Sequence, residues 1–201
     1  MMRLRFPAWT VLLCALAALA YAVPALGDAL IYDRAAVGHG QWWRLLTGSL
    51  VHLSPRHFLA DVPALFVLGA LAEQRRERPL AVVYLVAALA VGATVHLGVP
   101  GVRTFGGLSG VVTALVVLVA LENAGRGAPA QRLWRGVLVL VAGKLLVETC
   151  FDTSWLTAGG SEPYLPVPLS HLAGAGAALA FHFRGALAAA TAWPRPGRRA
   201  S

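Results

Sequence analysis

The sequence predicts an all-α polytopic membrane protein, a bundle of six transmembrane helices with both termini in the cytoplasm. Three observations carry that prediction. Of 201 residues, 58% are hydrophobic and 13% charged, where a soluble domain is nearer half apolar and a quarter charged. The apolar residues gather into six segments, at about residues 8–27, 57–73, 80–99, 107–122, 134–151 and 169–190. The arginines alternate between the connections that join these segments, as positive-inside topology requires. Together the segments make one membrane domain, residues 1–192, followed by a disordered basic tail, residues 193–201.

Segment one follows Arg3 and Arg5. Its Ala18-Leu19-Ala20 and Ala20-Tyr21-Ala22 triplets resemble signal-peptide cleavage sites, but the apolar run continues to Leu26 and favours a retained helix. Residues 28–56 form the longest loop, and Trp42, Trp43 and His52 suit an element lying at the outer interface. Segments two, four and five are short against the roughly 17–25 residues a span needs. Burial in protein or local bilayer thinning accommodates such lengths. The tail, WPRPGRRAS, is suited to contact with anionic lipid.

Counting arginines orients the bundle. Arg3, Arg5, Arg75, Arg76, Arg78, Arg126, Arg132, Arg135, Arg184, Arg195, Arg198 and Arg199 fall on one side. Arg34, Arg44, Arg56 and Arg103 fall on the other. The first side is cytoplasmic, which fits a multi-pass protein of a bacterial inner membrane. The net charge of +8 comes from these clusters. Aromatics interleaved with basic residues on a solvated face are missing, which excludes a nucleic-acid partner. Cys14 and Cys150 make no disulfide framework.

With this topology, segments two, four and six all start on the outer side. Each carries a polar residue in its first turns: His57 and Asp61 in two, Ser109 in four, His171 in six. Polar groups are costly in a bilayer, and their agreement in depth points to one shared site. Ser109 lies in Gly107-Leu108-Ser109-Gly110, directly before an apolar run. A hydroxyl at a helix start has free backbone N–H groups and the positive end of the helix dipole beside it, which suits a nucleophile whose attack creates an oxyanion. Alone, Gly106 and Gly110 are as well read as a membrane packing face. Small pairs in segment six, Ala173 with Ala177 and Gly174 with Ala178, allow close approach to a neighbour. If that neighbour is segment four, His171 reaches Ser109 and accepts its proton.

His57 and Asp61 share a helix face, and His52 precedes them in the loop. Two histidines and a carboxylate suit zinc, but the five-residue step from His52 to His57 does not match one helix face, so no metal is assigned. Lys144 and Glu148 are four apart on segment five, and opposite charges so placed most simply satisfy each other. A second reading makes Glu148, nearer the outer end, part of substrate recognition.

Taken together, these residues resemble the rhomboid intramembrane serine proteases over nearly the whole chain. The matching positions are Trp43-Arg44, His52 and His57 with Asp61, Gly107-Leu108-Ser109-Gly110, and His171 followed by Gly174. The compact six-helix size, the Lys144–Glu148 segment and the run Val167-Pro168-Leu169-Ser170-His171-Leu172-Ala173-Gly174 look like the rhombosortase subgroup. The resemblance implies a rhomboid-like fold and a Ser–His dyad, Ser109 as nucleophile and His171 as general base. It implies an oxyanion surrounded by the Ser109 N–H, His57 and residue 61, with His52 and Gly107 lining the pocket. No cofactor is implied. The implied substrate is a membrane-anchored protein cut in or beside its anchor, at a small-residue or helix-breaking segment. For rhombosortases that anchor is the C-terminal tail called GlyGly-CTERM. The pocket opens to the outer, periplasmic side, where water is available.

Two positions depart from the family pattern. Asp61 stands where Asn is usual, and an ionised carboxylate accepts hydrogen bonds but donates none. Asp61 is therefore expected to hold His57 as a stronger donor; a protonated Asp61, favoured by desolvation, is the alternative. Thr113 stands where a Tyr often stacks on the catalytic His, so another group must hold the His171 ring. The competing functions are a non-catalytic rhomboid-like binder of membrane segments, a small transporter or metal carrier using His52, His57 and Asp61, and a purely structural subunit.

Overall fold

The computed structural model describes residues 6–75, 80–125, 127, 129–151 and 167–191. The tail at 193–201 and Arg3, Arg5, Arg76, Arg78 and Arg126 lie outside them. The described chain is built from helices, and the longer ones follow the apolar segments.

The first segment differs from expectation. Helix α1 (Ala8–Ala22) stops short of Leu26, and α2 (Pro24–Leu30) leaves it at 112°. Pro24 causes the break: the residue before a proline is driven out of the helical region, and Val23 is extended at φ −115°, ψ 97°. The proline then opens the next helix, where its missing N–H costs nothing.

The long loop is folded. Strand β1 (Tyr32–Asp33) pairs antiparallel with β2 (Thr104–Phe105). Asp33 caps α3 (Arg34–Gly38), its Oδ1 accepting from the Ala36 N–H at 2.8 Å. Arg34 donates to the carbonyls of Val95, His96, Val99 and Val102, which ties the loop to the C-terminal end of α6 (Leu80–Gly98). Cations belong at that end of a helix. Helix α4 (Arg44–Thr47) continues into a 3₁₀ turn, Gly48–Leu50. Arg44 bonds the carbonyls of Asp28 and Ile31, so the loop also holds itself. Trp42 and Trp43 remain exposed.

Helix α5 (Pro55–Arg75) starts with Pro55 in its first turn and with the Ser54 hydroxyl accepting from the His57 N–H. Helix α7 (Ser109–Ala124) is central, packed by α5, α6, α8 (Ala130–Phe151) and α9 (Pro168–Thr191). Its run at residues 111–121 is almost wholly apolar, as a buried helix without a water-facing stripe must be, and Ala114, Leu115, Leu118 and Ala120 have no exposed surface. Among the described residues, Pro55–Gln74 and Leu80–Gly98 are long and apolar enough to cross a membrane, and the bent pair α1–α2 adds a third span if taken as one. Leu59, Phe66 and Val67 face outward from α5, while His57 and Asp61 on the same helix are buried.

Candidate active site

Ser109 is the first residue of α7, so its backbone N–H belongs to the turn that a helix leaves without internal partners. The approach to it requires glycine. Gly107 has φ +129°, a conformation side chains avoid, and a Cβ there would strike the His57 ring. A Cβ on Gly106 would lie 2.7 Å from the Val51 carbonyl oxygen. The loop before Ser109 therefore lies flat against the residues preceding α5 and against His57 itself.

On the other side, α7 meets α9. A Cβ on Gly110 would come within 2.8 Å of the Ser170 carbonyl oxygen, and one on Gly174 would collide with the Gly110 carbonyl. The two backbones touch with no side chain between them, which only glycine allows. Ser109 precedes Gly110 and His171 follows Ser170, so both come to this crossing. His171 is buried and Ser109 partly so.

The contacts of His171 answer a question the sequence left open. Its Nδ1 lies 2.8 Å from Glu148 Oε2, and Lys144 Nζ lies 2.7 Å from the same oxygen. Lys144 Nζ is 3.3 Å from His171 Nδ1. Glu148 is buried, whereas the Lys144 side chain is 38% exposed. The lysine and glutamate do pair along α8, as their spacing suggested, and the carboxylate also reaches across to α9. Thr113 takes no part in this: its hydroxyl donates back to the Ser109 carbonyl at 2.8 Å.

The third group is His52, His57 and Asp61, all buried. Asp61 Oδ2 lies 3.0 Å from His57 Nε2 and 3.4 Å from His52 Nε2. The two rings meet edge-to-face with centroids 5.1 Å apart. Both distances are within ion-pair range, but Asp61 Oδ2 and His52 Nε2 are buried without a hydrogen-bond partner, so the carboxylate faces the two rings without a directed bond to that oxygen. Their ligand atoms lie within 4.8 Å of one another, a donor set a divalent ion also accepts. His57 ties this cluster to the serine loop through its contact with Gly107.

The contact between Glu148 and His171 is the feature that sequence reasoning missed. Its signal was the Lys144–Glu148 pair in the interior of an apolar helix. The pair alone does not tell whether the carboxylate is already satisfied or has a third partner.

The Rhomboid domain family matches residues 39–186, which spans every residue of the three groups above. Members of that family are generally intramembrane serine proteases. No curated protein sequence matches the chain significantly. With nearly three quarters of its length matched and apolar helices long enough to span a bilayer, this chain is a membrane protein that belongs to the rhomboid family.

Proposed function

We propose that the chain is an intramembrane serine endopeptidase in which Ser109 is the nucleophile and His171 the general base. The observation that carries this reading is the crossing of α7 and α9 at Gly110 and Gly174, backbone against backbone, with Ser109 and His171 flanking it. In this mechanism Ser109 Oγ attacks the substrate carbonyl carbon and its proton passes to His171 Nε2. The oxyanion forms beside the N–H groups of the first turn of α7 and the His57 side, with Asp61 holding His57. His171 then gives its proton to the leaving amine as the C–N bond breaks. Water attacks the acyl-enzyme, passing a proton to His171, which returns it to Ser109 as the carboxylic acid product leaves. No cofactor enters these steps.

Six membrane-spanning helices with both termini in the cytoplasm of a bacterium would open this site to the outer face, where water is found. The substrate would be a membrane-anchored protein with a small-residue or helix-breaking segment, since a regular helix hides its carbonyls in its own ladder. Within the family, the sequence resemblance favours the rhombosortase subgroup and GlyGly-CTERM tails.

Labelling of the detergent-purified protein with a fluorophosphonate tests the reading. Wild type is expected to label, and Ser109→Ala and His171→Ala are expected to lose labelling while remaining folded. A folded wild type that neither labels nor cleaves small-residue anchors, yet captures membrane segments, would be a binding protein instead. The cluster of His52, His57 and Asp61 favours a second reading, metal carriage. It predicts a melting temperature that rises with added zinc and falls in Asp61→Ala, and it leaves residues 107–110 without a role.

A further inference from the structure

We infer that Glu148 is a positioning residue that converts the Ser109–His171 pair into a three-member relay, with Lys144 as the counter-charge that keeps its carboxylate ionised. The inference rests on the protease reading above and adds to it the group that holds the base.

The argument begins with the shared oxygen. Glu148 Oε2 lies 2.8 Å from His171 Nδ1 and 2.7 Å from Lys144 Nζ. An ionised carboxylate is an acceptor only. At 2.8 Å an unprotonated Nδ1 would set its lone pair against that of the oxygen, so Nδ1 carries the proton and donates it. The 3.3 Å approach of Lys144 Nζ to Nδ1 is then a side contact of two donors converging on one acceptor. With Nδ1–H fixed, the lone pair of neutral His171 resides on Nε2, the atom that must accept the proton of Ser109. The same bond prevents the ring from turning and stabilises the imidazolium formed during attack, the role an orienting carboxylate plays for a catalytic histidine.

Burial explains why the pair needs Lys144. Glu148 is 1% exposed, and a lone carboxylate at that depth would take up a proton and lose its value as an acceptor. Lys144 sits one helical turn away on the same face, and its Nζ touches the carboxylate. Thr113 bonds its own helix, so among the described contacts of His171 the Glu148 carboxylate is the one that orients the ring.

The tautomer is measurable without relying on activity. The protein would be labelled with ¹⁵N-histidine in detergent, and the His171 signals identified by their loss in His171→Ala. With the ring neutral, wild type is expected to show a protonated Nδ1 and an unprotonated Nε2. In Glu148→Gln the two tautomers are expected to mix, kcat for a model anchor substrate to fall about 100-fold or more, and KM to stay within about threefold. Glu148→Asp is expected to recover part of kcat, which a merely structural role would not predict. A wild-type ring protonated on Nε2 overturns the inference, even if Glu148→Gln fails to fold. So does a Glu148→Gln protein that cleaves within threefold of wild type. A folded wild type without Ser109-dependent labelling overturns the protease reading instead, and with it the catalytic role of Glu148, whatever the tautomer.

Discussion

Single atoms decide the chemistry of the two polar clusters. Asp61 Oδ2 lies 3.0 Å from His57 Nε2 and 3.4 Å from His52 Nε2, within ion-pair range of both rings but without a hydrogen bond to that oxygen. The carboxylate is close enough to pair with His57 if that ring is protonated, which is the role proposed for the Asp at this position. Asp61→Asn keeps the shape but removes the charge that faces the two rings, and breaking one side of a buried ion pair is destabilising. Cleavage by Asp61→Asn is therefore expected to fall about tenfold or more, with a lower melting temperature. Equal or higher activity in that variant would show that the carboxylate is dispensable. Gly107 is constrained twice over, by its positive φ and by the His57 ring beneath it.

Among the secondary-structure elements, the crossing of α7 and α9 brings together the backbones that carry Ser109 and His171, the proposed nucleophile and base. Gly174 lies against the Gly110 carbonyl, while Gly176, two residues on, has nothing within 4 Å of where a Cβ would be. The pair makes a controlled comparison. Gly174→Ala must push the helices apart, and overpacking of this kind costs about 1–3 kcal/mol. It is expected to lower the melting temperature and to abolish fluorophosphonate labelling. Gly176→Ala replaces a glycine by a better helix former on an open face and should keep both. Equal labelling of the two variants would remove the crossing from the mechanism. Helix α8 matters for a different reason: its Lys144–Glu148 face turns towards α9, so a helix with four charged side chains has the two nearest its C-terminus engaged.

Across the whole molecule, the loop before α5 and the proposed membrane topology frame the site. Arg34 and Arg44 hold residues 28–50 to the C-terminal end of α6 and to the loop's own carbonyls. Trp42 and Trp43 are left exposed, where aromatic side chains favour a membrane interface. Reporter fusions test the topology. Fusions at both termini and in the connection between α7 and α8 should report cytoplasm, and an insertion in residues 28–56 should report the outer side. A C-terminal reporter active outside the cytoplasm would reverse the proposed orientation. Much of the architecture was legible beforehand, because long apolar runs have few ways to satisfy their backbones other than as helices. The ends of α6 and α8 follow the apolar segments to within about four residues. The bend at Val23 is not legible in hydropathy, which is averaged along a window and does not register the one missing N–H of Pro24.

The sequence by itself determined that Ser109 heads an apolar helix, that His57 and Asp61 share a face, and that Lys144 and Glu148 stand one turn apart. Each of these is a statement about one helix, and helical periodicity is enough to make it. Only the tertiary structure decided that the Glu148 carboxylate meets His171, that the Thr113 hydroxyl bonds the Ser109 carbonyl instead, and that one oxygen of Asp61 lies within ion-pair distance of two imidazoles. Those outcomes depend on how each helix is rotated against its neighbours and how closely the two approach. Glycine contacts at Gly107, Gly110 and Gly174 set that rotation and spacing, and contacts between segments distant in the chain leave no trace in the period of either one.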